Sequence, residues 1–371
     1  MSIFNVELKK VVDDSYEIEI GYGLVDKLIE DLHHGLVGSI RKMAVITDSN
    51  VSDLYARTIS ERLLQEGYEV DMFVIPAGEK SKTRETKARL EDAMLEKGYR
   101  RDSCVLAIGG GVVTDLAGFL AATYARGVPF INYATTLLAA ADASVGGKTA
   151  VDTPLATNLI GVFHQPKKVY IDLEAWKTLP EREISSGMAE TIKHACLASE
   201  DMFEFLEENM DDIMAFMPFA TSYIAENNCK IKYNVVMQDE KETSGLREIL
   251  NLGHTVGRAV ETVSDYRLLH GEAVAIGLVA QAHLAEGMGY MTEEQVKRLI
   301  ALLEKAHLPT GIPEYIDKEV LVQKLYTDKK VKSGKLRFVL QKGIGQVVEF
   351  APGVYAKAIE EETVRDVLKK M

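Results

Sequence analysis

Residues 104 to 118 read Cys104-Val-Leu-Ala-Ile-Gly-Gly-Gly-Val-Val-Thr-Asp-Leu-Ala-Gly118, an apolar run that ends in three glycines and resumes as a helix. An apolar run bounded by a glycine turn fits a buried strand, and a strand turning through glycine into a helix opens a βαβ unit. Gly109, Gly110 and Gly111 let the backbone approach a pyrophosphate closely, and the helix start behind them supplies N–H donors and a favourable dipole. The spacing is not Gly-x-Gly-x-x-Gly, and a tight turn with close helix packing accounts for the same residues equally well.

Outward from this unit the pattern repeats. Residues 43–47, 70–75, 130–133 and 168–172 read as further strands, and 51–65 and 82–98 carry apolar residues at helical spacing. Strands separated by helices imply a parallel sheet, so the amino-terminal half is α/β and Rossmann-like. The extreme amino terminus alternates like a strand pair. From about Pro180 the reading changes to helices at 184–208, 217–236, 253–263, 272–286 and 293–307. Only 336–340 and 347–350 read as late strands, a hairpin around Lys342 to Gly345. The expected division is residues 1–180 as a dinucleotide-binding α/β domain and 181–371 as a mainly α-helical metal- and substrate-binding domain. No Pro/Gly/Ser linker separates them, which predicts a packed hinge.

A chain of 371 residues exceeds the size at which one core stops growing, which agrees with two domains. Its 43 basic and 56 acidic residues give a net charge of −13, which repels nucleic acid and anionic membrane over most of the surface. An anionic substrate therefore needs a local cationic pocket. No signal peptide is recognisable and no apolar run is long enough to span a bilayer, so a cytoplasmic location is expected. Cys104, Cys196 and Cys229 lack metal or disulfide spacing and read as reduced packing residues.

Three further groups of residues carry candidate chemistry. Asp48, just past the second-strand candidate, suits a ribose or adenine edge, or equally a helix cap. The stretch Thr135-Thr136 to Asp142 and on to Gly146-Gly147-Lys148-Thr149 sets a glycine pair beside a cation, although the upstream glycine of a P-loop is missing. His254 and His270 open successive helices, and Glu190 stands on an earlier helix with Lys193 nearly one turn on. Two histidines and a carboxylate form a catalytic zinc set, yet helix-capping or core histidines fit the spacing as well. His33, His34, His164, His194, His283 and His307 read as structural or surface residues.

Together these segments resemble the 3-dehydroquinate synthase family, within the sugar phosphate cyclases. The resemblance runs from Glu79 in Gly-Glu-Lys-Ser-Lys to Asp328-Lys-Lys. It implies NAD held by Asp48, Glu79, Lys82, Gly109 to Gly111, Asp115, Thr135, Thr136, Lys148 and Thr178. It implies Zn²⁺, or Co²⁺ in its place, on Glu190, His254 and His270. It places Asp142, Lys148, Asn158, Lys193, Lys232, Arg247 and Asn251 on a small phosphorylated sugar-acid substrate. It further implies a homodimer in which Arg126 reaches the neighbouring site, and a lysine of the Asp328-Lys329-Lys330 run, Lys329 or Lys330, closing over the phosphate. The implied reaction is transient oxidation by NAD, phosphate elimination, reduction, ring opening and aldol cyclisation. Other sugar phosphate cyclases, a polyol dehydrogenase of the same fold and a catalytically silent homologue are the alternatives.

Two positions depart from the family pattern. Ala156-Thr157-Asn158 replaces Gly-Lys-Asn, and Gly253-His254-Thr-Val-Gly257-Arg258 replaces Gly-His-x-x-Gly-His. One positive charge is lost and one gained, so Arg258 is expected to compensate by holding phosphate.

Overall fold

The structure is a computed structural model that describes residues 13–326 and 335–371. The residues read as the first half of an amino-terminal strand pair, and Asp328, Lys329 and Lys330, lie outside the described residues.

The first half runs β1 (Glu17–Gly21), α1 (Val25–His33), β2 (Lys42–Asp48), α2 (Arg57–Gln65), β3 (Glu69–Ile75), α3 (Arg84–Glu96), β4 (Ser103–Gly109), α4 (Gly111–Thr123), β5 (Phe130–Ala134), β6 (Lys148–Thr153), β7 (Ala156–Phe163) and β8 (Lys168–Asp172). Six strands form one sheet in the order β1-β8-β5-β4-β2-β3, every pair parallel. β4 and β8 are buried along their whole length, and apolar clusters cover both faces, as continuous apolar runs require. The chain goes outward from β2 to β3, then returns to β4 on the other side. The switch in strand order thus falls between β2 and β4, whose carboxyl ends are Asp48 and Gly109.

A two-stranded antiparallel ribbon, β6 with β7, was not expected from the sequence. Gly146 and Gly147, at φ 96° and 65°, turn the chain into the strand beginning at Lys148. Residues 51–65 are not one regular helix either: a π-type turn at Ser52–Ala56 precedes α2.

The second half contains α5 (Glu181–Ala198), α6 (Glu200–Met214), α7 (Pro218–Gln238), α8 (His254–Val263), α9 (His270–Gly287), α10 (Glu293–Lys305), α11 (Lys318–Leu325), β9 (Arg337–Val339), β10 (Ala356–Ala358) and α12 (Glu361–Lys370). The helix expected over 184–208 is two. It breaks at Ser199, whose hydroxyl accepts the Met202 N–H at 3.1 Å and whose φ of −155° is non-helical. Ser-Glu-Asp at 199–201 is a helix-start signal that the apolar periodicity overran. The expected late hairpin around Lys342 to Gly345 is present but short: Lys342 N–H bonds the Gln346 carbonyl, Val348 N–H bonds that of Leu340 and Gln341 bridges Val347, while β9 takes its regular partner from β10.

Two helices anchor this half. From Ile184 to Leu197, α5 is buried without interruption, and α9 is nearly as enclosed. A helix buried on every side has lost the amphipathic stripe that marks a surface helix. α8 and α9 meet backbone to backbone. A Cβ on Gly277 would stand 1.8 Å from the Gly253 carbonyl oxygen, and one on Gly257 would stand 2.9 Å from that of Ala273. Gly271 packs as closely on Ser186 of α5.

Candidate active site

Charged groups on a wholly buried helix must be paired or must hold an ion. α5 carries Glu190, Lys193 and His194 within its enclosed stretch. Glu190 Oε1 lies 3.7 Å from His254 Nε2 and 3.6 Å from His270 Nε2, and it has no hydrogen-bond partner. The two imidazoles come from the first residues of α8 and α9 and meet edge to face, with ring centroids 5.4 Å apart and planes at 63°. The far nitrogens are occupied: His254 Nδ1 is 3.1 Å from the Leu252 carbonyl oxygen, and His270 Nδ1 is 3.3 Å from Glu261 Oε2. Such outer contacts orient imidazoles so that Nε2 points at a shared centre. One carboxylate and two imidazoles, all within 4.8 Å of one another, can hold one Zn²⁺ or Co²⁺.

The electrostatics agree with a cation site. Burial alone would raise the Glu190 carboxyl, but Lys193 and the two histidines hold it well below the usual range. Burial and Lys193 keep His254 neutral, far below the ordinary imidazole value. Burial opposes charge on His270 too, yet Glu261 and Glu190 push it up to about 10, so a proton sits where a metal cation would be held.

A second trio shares Glu190: its carboxylate, that of Asp142 and His194 also lie within 4.8 Å of one another. Here ammonium groups already supply positive charge, Lys193 on Glu190 and Lys232 on Asp142, the latter at 2.6 Å. Asp142 is held well below its usual range, Lys232 and Lys193 overcoming burial. His194 is fully buried, as a structural reading allows, and its place one helical turn after Glu190 brings it into this trio.

Lys82 organises a third cluster. Its ammonium lies 2.6 Å from Asp115, 2.6 Å from the Asn158 side-chain oxygen and 3.6 Å from Glu79. Burial raises Glu79 to about 7 against the pull of Lys82, and His270 is among the charges it senses, so this cluster adjoins the metal trio. Asn158 joins it from β7 with φ 54°, linking ribbon to sheet.

At the switch point the glycine turn is tightly packed. A Cβ on Gly109 would meet Val113 at 2.7 Å, and one on Gly110 would meet Thr136 at 3.1 Å. Thr135 N–H bonds the Gly109 carbonyl at 3.1 Å and leaves its buried hydroxyl unpartnered. Asp48 accepts the N–H groups of Asn50 and Val51 at 2.8 and 3.1 Å, so it caps the following turn. Thr178 lies 2.7 Å from the Tyr55 hydroxyl across the same edge. The glycine turn, the start of α4 behind it and the orphaned Thr135 hydroxyl fit a dinucleotide.

The remaining candidates scatter. Lys148 pairs with Glu242, and the buried Arg247 bonds the carbonyls of Gly146 and Glu240. Asn251 ends the short helical turn before Leu252. Arg258 lies one turn beyond His254 and lines a cavity of about 270 Å³ together with Thr157, Tyr266 and Lys324. The position that lost a cation and the position that gained one thus share a cavity. Arg126 follows the carboxyl end of α4, about 20 Å from the glycine turn at a rise of 1.5 Å per residue, and lines a separate cavity with Arg101 and Tyr124. All three cysteines are buried and free, as expected.

A parallel α/β half with a glycine turn at its switch point, closed against helices bearing a carboxylate and two imidazoles, defines the sugar phosphate cyclase fold. The structure superposes with a TM-score of 0.86 on 2-epi-5-epi-valiolone synthase from Streptomyces hygroscopicus subsp. jinggangensis, solved with NAD⁺ and Zn²⁺ bound, at 27% identity over 99% of both chains. It is equally similar, at 0.86 and 25% identity over 95% of this chain and 96% of the other, to 2-deoxy-scyllo-inosose synthase complexed with carbaglucose-6-phosphate, NAD⁺ and Co²⁺. Within that class, the chain belongs to the 3-dehydroquinate synthase family, whose amino-terminal model matches residues 72–186 and whose carboxyl-terminal model matches 187–331. The 3-dehydroquinate synthase of Caldanaerobacter subterraneus subsp. tengcongensis is 45% identical over 98% of this chain and 99% of its own. That of a Thermoanaerobacter species is 42% identical over 100% of both. Among the described residues no helix is long and apolar enough to cross a membrane.

Proposed function

We propose that the chain converts 3-deoxy-D-arabino-heptulosonate 7-phosphate to 3-dehydroquinate and phosphate, the reaction of its family. The observation that carries this reading is the unpartnered Glu190 Oε1 facing two oriented imidazoles beside the Lys82 cluster. In this reading residues 1–180 hold NAD on Asp48, Glu79, Lys82, the glycine turn, Asp115, Thr135, Thr136, Lys148 and Thr178, while 181–371 supply the metal and most of the substrate grip. When bound, NAD would accept and return a hydride and the metal would polarise the alcohol oxygen that releases it.

The chain's own residues do the rest. Lys193 neutralises the Glu190 carboxylate, so the trio presents little net charge around its centre. Arg247, Lys232 and Lys148 would grip the substrate carboxylate and hydroxyls, Arg247 with the donors that its bonds to the Gly146 and Glu240 carbonyls leave, Nε–H among them. Asn158, Asn251 and Asp142 offer neutral and acceptor partners to hydroxyls. Arg258, with Thr157 across the cavity, takes the phosphate. The family homodimer is part of the proposal, since Arg126 projects from the end of α4 opposite its own glycine turn and suits a neighbour's site.

The decisive assay is purified protein with NAD⁺, Zn²⁺ and the heptulosonate phosphate. Phosphate release and a carbocyclic product without accumulating NADH support the proposal, whereas steady NADH production points to a polyol dehydrogenase.

A further inference from the structure

The hydrogen-bond chain behind His194 fixes which of its nitrogens carries the proton. The Thr191 hydroxyl donates to the Gly187 carbonyl at 3.4 Å, so it accepts the Asn228 amide N–H at 2.9 Å. The Asn228 side-chain oxygen is then left to accept, and His194 Nδ1, 3.0 Å away, must donate. His194 Nε2 consequently presents a lone pair. It is buried and has no partner, a state that native structures rarely leave unfilled.

A ring nitrogen of His194 lies within 4.8 Å of carboxylate oxygens of Asp142 and Glu190, and since Nδ1 is engaged by Asn228, the nitrogen left for that trio is Nε2. Atoms within 4.8 Å of one another can all reach one small donor group at hydrogen-bond distance. The pocket holds three acceptors, and both nearby ammonium groups are directed at the carboxylates rather than at the imidazole. The Asp142 side chain is 33% exposed, so the pocket opens on that side.

We infer that His194 is a further substrate-positioning residue, its Nε2 accepting a hydrogen bond from one hydroxyl of the polyol phosphate beside Asp142. The inference rests on the reading that a polyol phosphate binds in this cleft.

The test compares wild type, His194→Asn and Asn228→Ala, loaded with NAD⁺ and Zn²⁺, on the heptulosonate phosphate and its single-deoxy analogues. His194→Asn keeps a donor near Asn228 and removes the Nε2 acceptor; Asn228→Ala keeps the ring and frees its tautomer. In wild type, deoxygenation at one position should cost roughly tenfold or more in kcat/KM, the scale of one lost hydrogen bond in a buried polar site. That one penalty should vanish in His194→Asn and shrink in Asn228→Ala, the other penalties being unchanged. A merely structural role would lower all substrates alike. Penalties that persist in either variant that folds overturn the inference while leaving the proposed reaction intact. A wild type that releases no phosphate overturns both.

Discussion

Glu190 Oε1 and His270 Nε2 stand 3.6 Å apart, beyond hydrogen-bond length and within the span that one shared ion bridges. Chelation should therefore destabilise the protein, and zinc or cobalt should restore it. Metal at a hundredfold excess over its dissociation constant contributes about 3 kcal/mol. Urea unfolding with and without chelator reads this directly. In Glu190→Gln the metal content should fall well below that of wild type; full retention would remove the trio as the site.

Gly277→Ala sets a methyl group against the Gly253 carbonyl oxygen, with no side chain able to yield. Overpacking of this kind costs about 3 kcal/mol, at the upper end of its usual range. Because Gly253 immediately precedes His254, zinc affinity should fall with stability. Denaturant midpoints and a zinc titration give the two readings, and an unchanged pair would mean that the helices separate without consequence.

Arg258→Ala should raise KM for the phosphorylated substrate by roughly ten- to a hundredfold, the worth of a charge-assisted hydrogen bond. Zinc content and NAD binding should be preserved, since neither group is placed on Arg258. Equal KM values in the two proteins would assign the phosphate to other cations.

His194 makes stability depend on pH in a known direction. Burial, then Lys193, lowers the folded imidazole to about 4, whereas the unfolded one protonates near its ordinary value of 6.5. Between these values only the unfolded chain gains the proton, so stability falls as pH drops through the window and is fully present above it. The loss approaches about 3 kcal/mol. Urea unfolding of the metal-free protein at pH 7 and pH 4.5 should show a larger drop for wild type than for His194→Asn; identical drops would contradict the assignment.

The sheet was legible because β2, β3, β4, β5 and β8 are short apolar runs bounded by turn residues, a pattern local in sequence. The ribbon of β6 and β7 was not, since its lysine and glycines carry the marks of a loop and its pairing is settled by contact with the sheet's helices. Glu190, His254 and His270 were visible as residue types, but their convergence depends on α5, α8 and α9 packing together, which no spacing encodes. His194 reads as structural or surface in the sequence, and a helix buried all round gives its histidine no distinguishing face. Arg258 and Thr157 stood out only against the family pattern, and their common cavity belongs to the tertiary structure.

At its closest points the contact of α8 with α9 sets glycine α-carbons against main-chain carbonyls. The spacing of the two imidazoles is thereby referenced to main chain, which does not change when neighbouring apolar residues are exchanged. Descendants of this sequence can drift widely in their hydrophobic interior while the ion's seat stays in place, provided the glycines at 253, 257 and 277 are kept.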